Sequence, residues 1–219
     1  MKPEALTPPF SGKCSWQGRL LGVQPRIRLS RSFDQQHHSY LGYSLFLRGT
    51  VDGVEREFSV GIGKAAQDKH AFCAGEEVSG QSYPVLAAKA ETVEFYRTSQ
   101  LKKHGQEPPT APVSAPPWLG LCPTLEVYRE RGHRRLDSRI YEKECRCCIW
   151  GCQMPVEIIV DSWKPHIRRY RLETFCYGPK SCPLHRPGPR RKVPGRKGMT
   201  WVEEDWVDEE HISHRGPED

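Results

Sequence analysis

Apolar and polar residues alternate with a period of two through much of the first hundred positions. Leu21, Val23, Ile27 and Leu29 are interleaved with Gly22, Gln24, Arg26, Arg28 and Ser30, the spacing of a strand with one face in a core. Pro25 falls on the apolar register and has no N–H to donate, so this strand needs an edge or a bulge there. Tyr43, Leu45 and Leu47 repeat the alternation, with Ser44, Phe46 and Arg48 on the opposite face. Asp52 and Gly53 tolerate positive φ and predict a type I′ hairpin turn. Phe58, Val60 and Ile62 then alternate in the returning strand, which completes a three-stranded antiparallel meander. A short helix is predicted over 65–72, followed by strands around 77–79 and 93–96.

Three strands, a small helix and two strands is the element order of an OB fold. The stretch Phe72-Cys73-Ala74-Gly75-Glu76-Glu77-Val78-Ser79-Gly80 resembles the entry to the fourth strand of many OB domains. The resemblance covers roughly residues 16 to 100. It implies a β-barrel that binds oligonucleotides or oligosaccharides across its second and third strands. On that implication Arg26, Arg28, Tyr43 and Phe46 are expected at a nucleic-acid surface, with Phe33 and Tyr40 as further rings for stacking. Lys64 joins them as a phosphate contact, although Gly61-Ile62-Gly63-Lys64 fails as a P-loop: Phe58 and Ala65 stand where glycine and a hydroxyl residue are required.

Five prolines within residues 106–117 predict an extended linker, because proline continues neither a helix nor a central strand. Beyond it the pattern changes. Cys145-Arg146-Cys147-Cys148-Ile149-Trp150-Gly151-Cys152 and Cys176-Tyr177-Gly178-Pro179-Lys180-Ser181-Cys182 flank two strand-like runs, 156–160 and 170–175. A hairpin between those runs brings the two clusters side by side, as four thiolates around one ion require. The arrangement resembles a zinc ribbon, departing from it in the C-x5-C spacing of the second cluster and in the surplus cysteines of the first. The best four ligands are Cys145, Cys148, Cys176 and Cys182. Cys152 is the first substitute, because Gly151 permits a tight turn beside it. The ion expected is Zn2+. The alternative is an iron–sulfur cluster, since Cys145, Cys148 and Cys152 form C-x2-C-x3-C. Cys14, Cys73 and Cys122 are isolated and read as ordinary buried thiols.

Charge is distributed unevenly. Residues 164–197 carry eleven Lys and Arg against Glu173 alone, whereas 203–219 carry eight acids against Arg215. An anionic partner is expected for the basic stretch, including Arg190, Arg191 and Lys192, and a protein partner for the acidic one. Arg131, Arg134 and Arg135, dense in guanidinium groups just before the cysteines, are further candidates for phosphate contact. Catalytic signatures are lacking: there is no H-E-x-x-H, no zinc-deaminase pattern and no G-x-S-x-G. A site closed by four cysteines leaves no position for an activated water. No apolar run is long enough to cross a membrane as a helix, and residues 1–10 lack the apolar core of a signal peptide, so a cytoplasmic location is expected.

The expected architecture is therefore mainly β with small α content: an OB-like β-barrel over 16–105, a linker over 106–117, a cysteine-rich zinc-ribbon-like module over 118–185, and a flexible basic arm and acidic tail over 186–219. The expected function is non-catalytic binding of nucleic acid, DNA or RNA, with a structural metal. An iron–sulfur redox protein or enzyme and a protein-interaction adaptor are the alternatives.

Overall fold

In the computed structural model, residues 12–32, 36–105, 116–161, 163, 164 and 166–202 are described. Phe33, most of the expected linker and the acidic segment 203–219 lie outside them.

The first sheet strands follow the alternation. β1 (Cys14–Arg31), β2 (Gln36–Val51) and β3 (Val54–Ile62) form an antiparallel meander. Asp52 and Gly53 turn between β2 and β3 with φ of 47° and 85°. Helix α1 (Lys64–His70) follows, then β4 (Glu77–Pro84) and β5 (Phe95–His104). β4 pairs with both β5 and β1, and β5 meets β3 in parallel at Phe95 and Val60. The fifth strand thus begins where expected near 95 and runs on to His104.

Strand β1 departs from the simple alternation in an informative way. Its register with β2 slips between Leu20 and Gly22 and again between Arg26 and Ile27. The first slip turns Leu20, rather than Leu21, into the core together with Val23, Ile27 and Leu29. On its other edge β1 pairs with β4 only as far as Arg19, and with a later strand only from Leu29. Pro25 sits in the gap between these partners, where a missing N–H costs no ladder bond.

After the segment outside the described residues, α2 (Leu125–Arg131) ends at Gly132, and the short β6 (Arg134–Arg135) follows. A helical turn at Ser138–Ile140 widens into a π turn, Tyr141–Cys145. The hairpin is present: β7 (Gly151–Ile159) pairs with β8 (Arg168–Cys176), antiparallel, Gly151 opposite Cys176. β7 also pairs in parallel with β1, Leu29 opposite Val156. Both halves of the chain therefore share one mixed sheet and one core, in which Val23, Leu45, Leu47 and Val60 join Leu125, Tyr128, Met154, Val156 and Phe175.

The expected flexible arm is docked as far as Val202. Asp137 N–H donates to Arg186 O at 2.9 Å, and Arg171 Nη1 donates to Lys192 O at 2.7 Å. β9 (Lys192–Pro194) and β10 (Thr200–Val202) form a two-stranded ribbon, and Val193 is buried in the common core. Burying Val193 contributes about 1.5 kcal/mol or more to this docking, beside those hydrogen bonds.

Candidate metal centre and cationic surfaces

The two cysteine clusters meet at the base of the β7–β8 hairpin. Cys145 closes the π turn, and Cys148 N–H donates back to Cys145 O at 3.0 Å. Gly151 N–H donates to Cys148 O at 3.0 Å, and the chain then enters β7. Because Gly151 pairs with Cys176, the hairpin register sets Cys176 beside this turn. Cys145, Cys148 and Cys176 share a small buried cluster with Leu136 and Tyr141. Cys182 is half-buried after the next turn, its N–H donating to Pro179 O at 3.1 Å.

Electrostatics tie the four thiols together. Burial, and after it negative charge on Cys148, Cys176 and Cys182, pushes Cys145 up to about 12. Cys148 rises to about 11 through burial, opposed by hydrogen bonds from the backbones of Trp150, Trp118 and Gly151. Cys176 is raised by burial and lowered by the Arg134 guanidinium and the Gly178 N–H, which donates to its Sγ at 3.3 Å. Without a cation these groups stay protonated; a divalent ion among them reverses that balance. N–H and guanidinium donors aimed at sulfur are what a coordinated thiolate needs in its surroundings. Among the described residues, no three His, Cys, Asp or Glu side chains are already arranged to grip an ion as they stand.

Neighbouring residues brace both turns. Gln24 of β1 is 1% exposed; its Nε2 donates to Cys145 O at 2.8 Å and to Cys148 O at 2.9 Å. Its Oε1 accepts from Tyr141 Oη at 2.7 Å. Arg134 performs the same service for the second turn, donating to Pro179 O at 2.8 Å and to Gly178 O and Lys180 O at 3.4 Å. Neither role was legible in the sequence. The only signal for Gln24 was its place on the polar register of a strand.

The other cysteines lie elsewhere. Cys152 alternates to the opposite side of β7 from Gly151, is fully buried in the main core and donates its thiol to Pro25 O at 3.3 Å. Burial raises it far above the ordinary thiol range. Cys147 presses on β1, where a Cβ at Gly22 would come within 2.7 Å of its Cα. Cys122 contacts Tyr128 Oη at 2.8 Å. All nine cysteines are free of disulfides.

The residues singled out for nucleic acid divide into two groups. In the first half, most are already engaged. Arg26 and Arg28 both pair with Glu91, at 3.0 and 2.8 Å. Tyr43 is 1% exposed and donates to Pro123 O at 2.9 Å, so its ring is a core group rather than a stacking platform. Phe46 is half-buried beneath the Arg146 guanidinium, 5.8 Å from its centroid. Tyr40 lies under Arg129 at 4.7 Å, and Lys64 pairs with Glu126 at 2.6 Å. Arg131 donates to Tyr177 O at 2.8 Å and covers the Trp150 ring. Arg135 sits in β6, where its carbonyl accepts from His185 at 3.1 Å.

The second group is on or beside β9. Arg190 and Lys192 are exposed and Arg191 is half-buried. Together with Lys164, Arg169 and Lys197 they face solvent in a stretch whose acids are paired: Glu157 and Glu173, both buried, with Arg168 and Arg171, and half-buried Asp161 with Arg196. Comparison with protein-family models, curated proteins and solved structures gave no significant match for this chain.

Proposed function

We propose that this protein binds nucleic acid without catalysis and that one structural zinc ion, held by Cys145, Cys148, Cys176 and Cys182, fixes its cysteine-rich hairpin. The pairings of β1 with β2, β2 with β3, β3 with β5, β5 with β4 and β4 with β1 support an OB-like barrel. A hairpin bounded at one end by two thiol-bearing turns supports a zinc-ribbon-like module. Cys152, turned toward Pro25, leaves the C-x2-C-x3-C run, which favours zinc over an iron–sulfur cluster.

One contrast carries the nucleic-acid reading. In the first half Arg26, Arg28, Arg48, Arg56, Lys64 and Lys103 all pair with glutamates. Around β8 and β9, exposed cations outnumber the carboxylates among the described residues, a balance that suits a polyanion.

The test uses the full chain. Elemental analysis should find about one zinc per chain, with no brown absorbance. A labelled oligonucleotide should bind with an affinity that falls steeply as salt is raised. Iron with visible absorbance would replace zinc by a cluster; no oligonucleotide binding at low salt would refute the nucleic-acid function.

A further inference from the structure

The face that OB folds use for ligands is built over in this protein. On the outer side of β2 and β3, Ser44 is 3% and Ser59 7% exposed. Arg26 lies across Gly61, and Glu91 neutralises it. At the other end the first cysteine turn closes in: Arg146 sits over Phe46 and reaches Glu57 at 3.7 Å. The cleft left there is lined by Glu57, Glu142 and Glu144 as well as Arg48, Lys143 and Arg146, so it offers a phosphate backbone no net attraction.

Exposed tryptophans and cations with no ion pair among the described residues coincide elsewhere. Trp163, at the tip of the β7–β8 hairpin, is 81% exposed, and Trp201 on β10 is 43%. Arg196 Nε lies 3.6 Å from Asp161 Oδ1, joining the hairpin tip to the β9–β10 ribbon. Arg171 joins β8 to the same ribbon through Lys192 O. These elements form one surface, on which Lys164, Arg169, Lys192 and Lys197 are exposed and carry no ion pair among the described residues.

We infer that this hairpin–ribbon surface, and not the β2–β3 face, is the site for single-stranded nucleic acid, with Trp163 stacking on bases and the cations holding phosphates. The inference rests on the nucleic-acid reading above and commits that reading to a place. Stacking needs an unpaired base with a free face, which a duplex does not offer. The site therefore distinguishes single from double strands.

The experiment is fluorescence anisotropy of labelled single-stranded DNA, single-stranded RNA and duplex DNA of about 20 nucleotides, with the full chain and three variants. Trp163→Ala should weaken single-strand binding by at least about fivefold and leave duplex binding nearly unchanged. Lys192→Glu with Lys197→Glu should weaken both and lower the slope of log affinity against log salt by about 2. Phe46→Ala with Arg48→Glu, on the β2–β3 face, should bind like the parent. Circular dichroism confirms that each variant is folded; all but Phe46 are exposed. Binding that survives the Trp163 and lysine changes but fails in the β2–β3 variant overturns the inference and leaves the proposed function standing. Heparin competing as well as an oligonucleotide, with no dependence on Trp163, overturns it in favour of general polyanion binding. No binding by the parent refutes the function itself.

Discussion

Gln24→Ala removes three buried hydrogen bonds at once: two from Nε2 to the carbonyls of Cys145 and Cys148, one from Tyr141 Oη to Oε1. Each such bond contributes about 1 kcal/mol net, and Tyr141 Oη, left buried without this partner, costs about 1–3 kcal/mol, whereas the Cys145 and Cys148 carbonyls keep the N–H groups of Cys148 and Gly151. Truncation also leaves a cavity beside Gly151, whose Cβ position lies 2.6 Å from Gln24 Nε2. Partial relaxation toward water offsets some of this, so a loss of about 3–5 kcal/mol is expected, a large share of a stability of about 5–15 kcal/mol. Urea unfolding followed by tryptophan fluorescence reads it as a lower midpoint at unchanged slope. Tyr141→Phe should cost about 1 kcal/mol alone and almost nothing in the Gln24→Ala background, because the two share one bond. A Gln24→Ala protein within 0.5 kcal/mol of the parent, or additive behaviour in the double variant, would show that the sheet and the cysteine turns are not coupled through this side chain.

Gly22→Ala should destabilise by about 1–3 kcal/mol, because the new Cβ would meet the Cys147 backbone; an unchanged melting temperature would contradict that packing. Tyr43→Phe should cost about 1 kcal/mol through the lost bond to Pro123 O while leaving oligonucleotide affinity intact, and a drop in affinity would return this ring to the binding surface. His185 is held near 4 by burial and by the Arg134 charge, below its unfolded value. In the window from about 6.5 down to 4 the unfolded chain takes up a proton that the folded chain refuses. Stability present above about pH 6.5 is therefore lost as pH falls through that window. His185→Gln should flatten this part of the urea-midpoint profile, and an identical profile would assign the acid sensitivity elsewhere. Cys152→Ala should keep the full metal content while Cys145→Ser or Cys176→Ser loses it, measured by elemental analysis after desalting; metal loss from Cys152→Ala would place that thiol among the ligands.

The sequence by itself determined the local elements. Period-two alternation set the strands, Asp52-Gly53 set the tight turn, and the spacing between the cysteine clusters announced the β7–β8 hairpin, because each depends on neighbours along the chain. It also determined where the charge lies. Which face of a strand turns inward was not written there: the slip at Leu20 sends Leu20 rather than Leu21 to the core, and Tyr43 proves to be a core residue. Nor could alternation separate Cys152 from the other thiols, since one residue of register decides whether a side chain meets the cysteine turns or the main core. Only the tertiary structure decided that Arg26, Arg28, Arg48 and Arg56 are paired with glutamates and that Arg26 and Arg146 lie over the β2–β3 face. Glu91 and Arg146 arrive from loops 65 and 100 residues away from Arg26 and Phe46. Contacts of that range are fixed by how the whole sheet closes on its core, which no window of sequence contains.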